Sequence, residues 1–395
     1  MKPSVLFLTT SSNWPLTDGK RQRTWFLIEA LSKDYDVDVL LMGFESDKKQ
    51  IEASTSSIKN FYYIALNDSK FLQPGYPSFL LSKKQKQEKI NFFNKVHAFF
   101  SHHDVDTTYS FLFSRYLPPV SVVPLFLKIK IVCDIDDVYF ETQSSRIREE
   151  HHFLTKLKLK VLFYLGTRAV QKTIKKITIP IIVKETDRTF FGLQNAICLT
   201  NLPFGFYVNQ KENLLPTKMY CPEALRFGFI GKLSYRPNYQ GLIDFIETVW
   251  KPLMQSGFDS RFLIAGSGEV PKSLLLAINS TSNIDLLGFV DTPDVFWNQI
   301  SVLLVPVAEG GGTTIKIAEA FIHGKTVIAN EFSARGYEAF ISDACFLLPK
   351  TTKEWIETLS EQKNTSEKQI HATALKARTL FDLQQWNQTL LTVLN

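Results

Sequence analysis

Cysteine is scarce in this chain: four residues, Cys133, Cys198, Cys221 and Cys345, lie far apart and no two form a C-x-x-C pair. That spacing excludes a disulfide framework and a zinc finger, and it fits a reducing, cytoplasmic setting. The chain also lacks any run approaching the ~20 apolar residues of a membrane span. Near its start only residues 5–8 are strongly apolar, which reads as a strand and not as a signal-peptide core. These features predict a protein that is soluble or peripheral to a membrane. There is no low-complexity tract and no short-period repeat.

What is present is a large apolar complement and one patch of charge. Hydrophobic residues make up 45% of 395, ample for a packed core and too long for one core of the usual size, so two domains are expected. The net charge of +6 is local, because residues 146–188 carry eleven Lys and Arg against four Asp and Glu. That excess of seven leaves the remainder close to neutral. No recognised nucleic-acid module accompanies the basic stretch, so nucleic acid is a poor partner.

Hydrophobic periodicity gives an α/β alternation twice over. In the first half, strands are expected at residues 5–9, 37–41, 61–64, 108–112 and 131–133, with helices at 21–31 and 85–100. Residues 196–205, ending in Pro and Gly, read as the start of an interdomain linker. The second half restarts with strands at 227–230, 262–265, 284–287, 302–305 and 326–329. Helices are expected between them at 239–250, 271–278, 293–300 and 313–322. Two Rossmann-like halves follow from this pattern, with ligand loops at the carboxyl ends of the strands.

The densest stretch is GGGTTIKIAEAFIHGKTVIAN, residues 310–330. A buried strand ends just before it, Gly310, Gly311 and Gly312 let the backbone turn, and Thr313 or Thr314 opens a helix. A helix start offers unpaired N–H groups and a positive dipole end to an anion, and Lys316 adds a full charge one turn in. Glu319 can accept hydrogen bonds from sugar hydroxyls. The plainer reading is a βαβ turn whose glycines serve chain geometry, with Lys316 solvated.

The order G-G-G-T-x-x-K-x-x-E-A resembles the retaining GT-B glycosyltransferases of family 4, here as Gly310-Gly311-Gly312-Thr313, Lys316 and Glu319-Ala320. Four other segments agree: FGFIGKLSYRPN at 227–238, FLIAGSGE at 262–269, IDLLGFVDTPDVFW at 284–297 and CDIDDV at 133–138. The resemblance implies two Rossmann-like domains facing across a cleft, with acceptor binding in residues 1–200, a linker at 201–225 and donor binding in 226–375. It also implies that a C-terminal helix at 376–395 packs back toward the first domain. A nucleotide diphosphate sugar is the implied donor substrate, with no metal and no further cofactor.

Breaking the bond between the anomeric carbon and a diphosphate puts growing negative charge on the leaving oxygens, so preorganised donors are the main catalytic need. On the resemblance, Lys232, Arg236, Lys316 and the N–H groups at Gly312 to Thr314 supply them, Glu319 holds the ribose, and Val290 lies in the segment bordering the base. Gly19, with Arg21 and Arg23 beside it, marks a close backbone approach to the diphosphate, though turn geometry alone would explain a glycine there. Many relatives carry a second Glu where this chain has Gly311, and Glu309 lies nearby as a substitute or as a solvated loop acid. Asp137 is assigned to positioning or deprotonating the acceptor hydroxyl, the alternative being a helix cap. The D-x-D of Asp134 and Asp136 is also how GT-A enzymes hold a metal.

Phe153, Leu154, Leu157, Val161, Tyr164 and Leu165 recur near helical spacing inside the basic stretch, with Lys156 and Lys160 on another face. Such a helix rests on an anionic membrane surface through residues 146–188, where a lipid-linked glycan would be met, or it turns its apolar side to the core. The expected activity is transfer to a surface polysaccharide or similar glycan. Rivals are a GT-B-fold nucleotide-sugar epimerase and a catalytically silent partner that binds a glycan or a second transferase. A dehydrogenase reading would rest on Gly266-Ser267-Gly268 alone.

Overall fold

The computed structural model describes residues 2–15, 19–54, 57–73, 75–136, 147, 152–203, 225–291, 293–310, 313–362 and 365–394. The chain divides into two compact units, one of Met1–Thr200 with Gln384–Asn395 and one of Asn201–Leu383. Each is an α/β unit with a single parallel sheet, the architecture expected of a Rossmann-like fold.

The first unit holds seven strands: β1 (Ser4–Thr9), β2 (Asp36–Gly43), β3 (Asn60–Ala65), β4 (Phe111–Arg115), β5 (Ile131–Ile135), β6 (Ile179–Ile182) and β7 (Ile197–Cys198), in the order β3-β2-β1-β4-β5-β6-β7. Its central strands β4 and β5 are buried along their whole length and mostly apolar, as expected where helices cover both faces of a sheet, with Arg115 and Asp134 the charged exceptions at their ends. Phe7 of β1 pairs in register with Phe113 of β4, their rings stacked at 5.3 Å. Helix α1 (Gly19–Leu31) links β1 to β2 and buries Phe26, Leu27 and Ile28. Helix α2 (Lys83–His102) begins at a Ser82–Gln85 capping box and buries Phe92, Val96 and Phe100. After β4 comes α3 (Leu117–Val122), and before β6 the long α4 (Phe153–Ile174).

The second unit has β8 (Arg226–Ile230), β9 (Arg261–Ala265), β10 (Ile284–Gly288), β11 (Val302–Val305), β12 (Thr326–Ala329) and β13 (Phe346–Leu347), in the order β10-β9-β8-β11-β12-β13. Helix α5 (Arg236–Phe245) follows β8, with Pro237 in its first turn, where a missing N–H costs nothing. Helix α6 (Ile315–Ile322) follows β11 and is buried through Ile317, Ala318, Ala320, Phe321 and Ile322. Helices α7 (Glu367–Leu380) and α8 (Leu383–Leu394) end the chain. Position 376 falls inside α7, which stays with the second unit, and the segment belonging to the first begins at Gln384. There Trp386 donates its indole N–H to the Thr200 carbonyl at 2.8 Å. No helix among the described residues is long and apolar enough to cross a membrane.

Several sequence expectations shift. The strand placed at 108–112 starts three residues later, since Asp104 in the left-handed region opens a short helix, Val105–Thr108, that uses up the Thr pair. Within the segment read as a linker from 196, Ile197–Cys198 is an edge strand, and residues 204–224 lie outside the described residues. The helix expected at 239–250 begins at Arg236 and runs on to Gln255 through a wider π turn at Ile246–Trp250. The helix at 293–300 stops at Trp297.

Candidate active site

In the second sheet the strand order reverses between β8 and β11, and the loops leaving their carboxyl ends flank the crevice where open α/β sheets take ligands. The loop after β8 is held from behind by the glycines that follow β9. Leu233 donates its N–H to the Ser267 carbonyl at 2.7 Å and Gly231 to Ala265 at 3.1 Å. A Cβ on Gly266 would sit 1.7 Å from the Gly231 carbonyl oxygen, and one on Gly268 would sit 2.4 Å from Ser234 Oγ. Gly266-Ser267-Gly268 is therefore a buttress for the neighbouring loop, which accounts for its glycines without a dinucleotide.

Lys316 points into this loop. Its Nζ lies 3.8 Å from the centre of the Phe229 ring and 3.4 Å from Asn238 Oδ1. Asn238 in turn donates to the Lys232 carbonyl at 2.9 Å, so one amide ties the ammonium to the loop. Gly231 makes the room, because a Cβ there would come within 2.8 Å of Lys316 Nζ. Thr314 takes the position before α6 without a side-chain cap, while its carbonyl accepts from the Tyr337 hydroxyl at 2.8 Å. Thr313 Oγ1 accepts from Asn201 Nδ2 at 2.9 Å. The start of α6 is thus fixed from outside the helix, and a helix start of this kind suits an anion.

Lys316 and Glu319 stand three apart on α6. Both residues keep part of their surface open, although their charged ends are hemmed in by protein atoms. Burial lowers the Lys316 pKa to about 7, with the Glu319 carboxylate acting in the opposite sense. Burial likewise raises Glu319 to about 7, offset in part by Lys316. An anion placed near Lys316 would favour its ammonium form.

Around this pair, Lys232 is exposed on its loop and Arg236 opens α5. Arg236 Nε lies 3.7 Å from Glu309 Oε1, with the arginine side chain 50% exposed and the glutamate 13%. Gly310 turns beneath them at φ 127, with the Tyr235 hydroxyl 3.4 Å from where its Cβ would be. Lys232, Arg236, Glu309, Thr313, Thr314, Lys316 and Glu319 thus lie on the loops and helix starts that follow β8 and β11. Val290 lies in the loop after β10 and is partly exposed. Gly311, Gly312 and Asp137 lie outside the described residues. Sequence reasoning assigns no role to Gly231, Phe229, Asn238 or Tyr337, and only the cramped path of the β8 loop exposes them.

In the first sheet the order reverses between β1 and β4. There Asp134, at the end of β5, is fully buried between two guanidinium groups: Arg23 reaches Oδ1 at 2.6 Å and Oδ2 at 2.9 Å, and Arg115 reaches Oδ2 at 2.7 Å. Arg115 also pairs with Asp136 at 2.6 Å and lies 3.8 Å over the Tyr116 ring. Burial opposes the Arg115 charge, yet Tyr116, Asp136 and Asp134 hold its pKa above the ordinary arginine value. Tyr116 has φ 73, a left-handed conformation rare for a tyrosine and of the kind kept at functional sites. Arg23 is thus a buried anchor, and Gly19 is the first residue of α1. The paired guanidiniums leave Asp134 poorly placed as a metal ligand. No three His, Cys, Asp or Glu side chains among the described residues gather to hold a metal.

Two parallel-sheet Rossmann-like units of this build define the GT-B fold. Residues 224–361 match the sequence model of the family described as Glycosyl transferases group 1. Solved structures agree along the whole chain: TarM (TM-score 0.68, 11% identity, covering 100% of this chain and 99% of that one), and HepE of Anabaena in complex with UDP (0.61, 14%, 99% and 99%). The α,α-trehalose 6-phosphate synthase of Burkholderia multivorans is similar too (0.62, 11%, 100% and 98%). No curated protein sequence matches the chain.

The buttress gives a direct prediction. Gly266→Ala should push the β8 loop away from β9, lowering both the melting temperature and nucleotide diphosphate affinity. Gly257 also has a positive φ but nothing within 4 Å of its absent Cβ. Gly257→Ala should therefore cost about 1 kcal/mol from backbone strain and leave affinity unchanged. Paired thermal melts and nucleotide titrations on the two variants check this.

Proposed function

We propose that the protein is a glycosyltransferase that moves a sugar from a nucleotide diphosphate sugar to a glycan or lipid-linked acceptor, with retention at the anomeric carbon, in surface polysaccharide assembly. The observation that carries the reading is the Lys316 ammonium, enclosed beside the uncapped start of α6 at the strand-order reversal of the second sheet. It lies inside the segment that matches the glycosyltransferase family. The UDP held by HepE, a protein of the same fold, supports a nucleotide as the ligand of this crevice.

In this reading the diphosphate lies against the N–H groups at Gly312 to Thr314 and Lys316, with Lys232 and Arg236 on its outer side. Glu319 accepts from the ribose hydroxyls, and Val290 borders the base. The bond between the anomeric carbon and the phosphate oxygen breaks with its electron pair leaving on the diphosphate, where these donors stabilise it. The acceptor oxygen attacks from the same face, and its proton passes to the departing phosphate. Glu309, steered by Arg236, takes the sugar contact that Gly311 cannot make, Asp137 positions the acceptor hydroxyl, and Gly19 gives the diphosphate a close backbone neighbour.

Cations and a helix start do here what a divalent ion would otherwise do, so turnover is expected to survive EDTA. Activity lost in chelator and restored by manganese or magnesium would contradict this. A panel of UDP-, GDP- and ADP-sugars with glycan acceptors, analysed for product, tests the function itself. Transfer with retained configuration supports it. A rearranged sugar from donor alone would assign the fold to an epimerase instead.

A further inference from the structure

Helix α4 wears its apolar residues on the wrong side for a globular protein. Its buried residues are Gly166, Val170 and Thr173, all in its second half. Lys176, just past its end, donates to the Ser121 and Val123 carbonyls at the end of α3, so the C-terminal half is the half that is anchored. In the first half Phe153 is 75% exposed, Leu154 67%, Leu157 50%, Val161 48% and Tyr164 54%. At about 100° per residue these five fall within an arc of about 100°, and the three buried residues occupy an arc of about 60° on the opposite side. The apolar stripe therefore faces away from the unit to which the helix is attached. The sequence alternative of a core-facing apolar side is thereby corrected.

The charge on the helix is as one-sided as its apolarity. Its 22 residues contain no acid, and Lys156, Lys158, Lys160, Arg168 and Lys172 are all basic. Lys158 borders the stripe on one edge and Lys160 on the other, while Arg168 and Lys172 continue along it. Long aliphatic stems let such lysines keep their charge at headgroup level while the residues between them go deeper. A second copy of this chain would set one acid-free basic helix against another, and a nucleic acid would meet Leu and Val where phosphate contacts belong.

We propose that α4 docks the protein on an anionic lipid bilayer, with Phe153, Leu154, Leu157, Val161 and Tyr164 entering the boundary between headgroups and acyl chains and the flanking lysines lying against lipid phosphates. The helix lies in the interface plane, where buried apolar area and attraction to anionic lipid act together. This inference stands apart from the glycosyltransferase reading and would hold for any enzyme built on this unit.

The test uses the full chain and vesicles of phosphatidylcholine, alone or mixed with phosphatidylglycerol. Binding is expected only to the mixed vesicles and should weaken strongly at high salt, where screening shortens to a few ångströms. Reversing Lys156, Lys158 and Lys160 to Glu should weaken binding at least about 100-fold. Phe153→Ser with Leu157→Ser should also weaken it, and Val161→Trp should show a blue-shifted emission on binding. Because these side chains are exposed, melting temperatures should hold. Equal binding to neutral vesicles, binding unchanged in the serine variant, or no vesicle binding with a dimer that the serine variant dissolves would each overturn the proposal, the last by assigning the stripe to a second copy.

Discussion

Arg115→Met is expected to destabilise the first unit by about 3–5 kcal/mol, the usual cost of removing one partner from a buried ion network. The substitution strips Asp134 of one of its two guanidinium partners and Asp136 of its 2.6 Å pair, all with the carboxylates inside the protein. A merely space-filling arginine would be replaced by Met at little cost, so the size of the effect reports the charge. Its pH dependence gives the sign. A buried carboxylate that has lost its counter-charge favours the protonated form, so the folded variant would bind more protons than the unfolded chain above the ordinary aspartate range. Stability of the variant then falls as pH rises through that window. The melting-temperature gap between wild type and Arg115→Met should be widest near neutrality and narrow toward about pH 4, which thermal melts across pH measure.

Lys316→Ala is expected to lower turnover of the intact donor by about one to two orders of magnitude while leaving the fold intact. A charge-assisted hydrogen bond contributes about 1.5–3 kcal/mol, and each 1.36 kcal/mol is a factor of about ten in rate. The loss should fall on kcat more than on KM, because charge on the leaving oxygens grows in the transition state. The same variant reports on stability with the opposite sign. Burial lowers Lys316 from 10.5 to about 7, so between about 7 and 10.5 the unfolded chain binds the extra proton and stability of the wild type rises with pH. Glu319, raised from 4.5 to about 7, makes stability fall with pH between those values. Without nucleotide the wild type should show a stability minimum near pH 7, and removing Lys316 should abolish its alkaline limb.

The donor side of this molecule is the more legible in the sequence, and for a physical reason. Its signals are local: a buried strand at 302–305, a glycine turn, a helix start, and Lys316 and Glu319 three residues apart on one face. Each needs only its neighbours in the chain to be recognised. The helix start moved from 313 to Ile315 without disturbing that logic, since Thr314 remains the residue before it. The first unit is different. Arg115 meets Asp134 and Asp136 only because β4 lies beside β5, and Arg23 reaches Asp134 across 111 positions of sequence. A strand expected at 108–112 stops short of Arg115, whereas the strand at Phe111–Arg115 carries it beside Asp134. The face presented by α4 was open in the sequence for the same cause, since period 3.6 shows that a stripe exists and only tertiary packing shows which way it turns. Asn238 and Gly231 escaped because their work is to shape space for Lys316, and an amide or a glycine in a loop carries no charge pattern to betray it.

Calorimetry shows whether the loops around Lys316 and Glu319 hold a nucleotide diphosphate. UDP, GDP and ADP are titrated into the protein at about pH 8 in two buffers of different ionisation enthalpy. At that pH Lys316, with its pKa lowered to about 7, is largely neutral in the empty site and must gain a proton to pair with phosphate. A nucleoside diphosphate is expected to bind with uptake of up to about one proton per site, Lys316→Met to lose the uptake along with most of the affinity, and Glu319→Ala to bind more weakly. No binding of any of the three, or equal affinity and equal proton uptake in Lys316→Met, would contradict this.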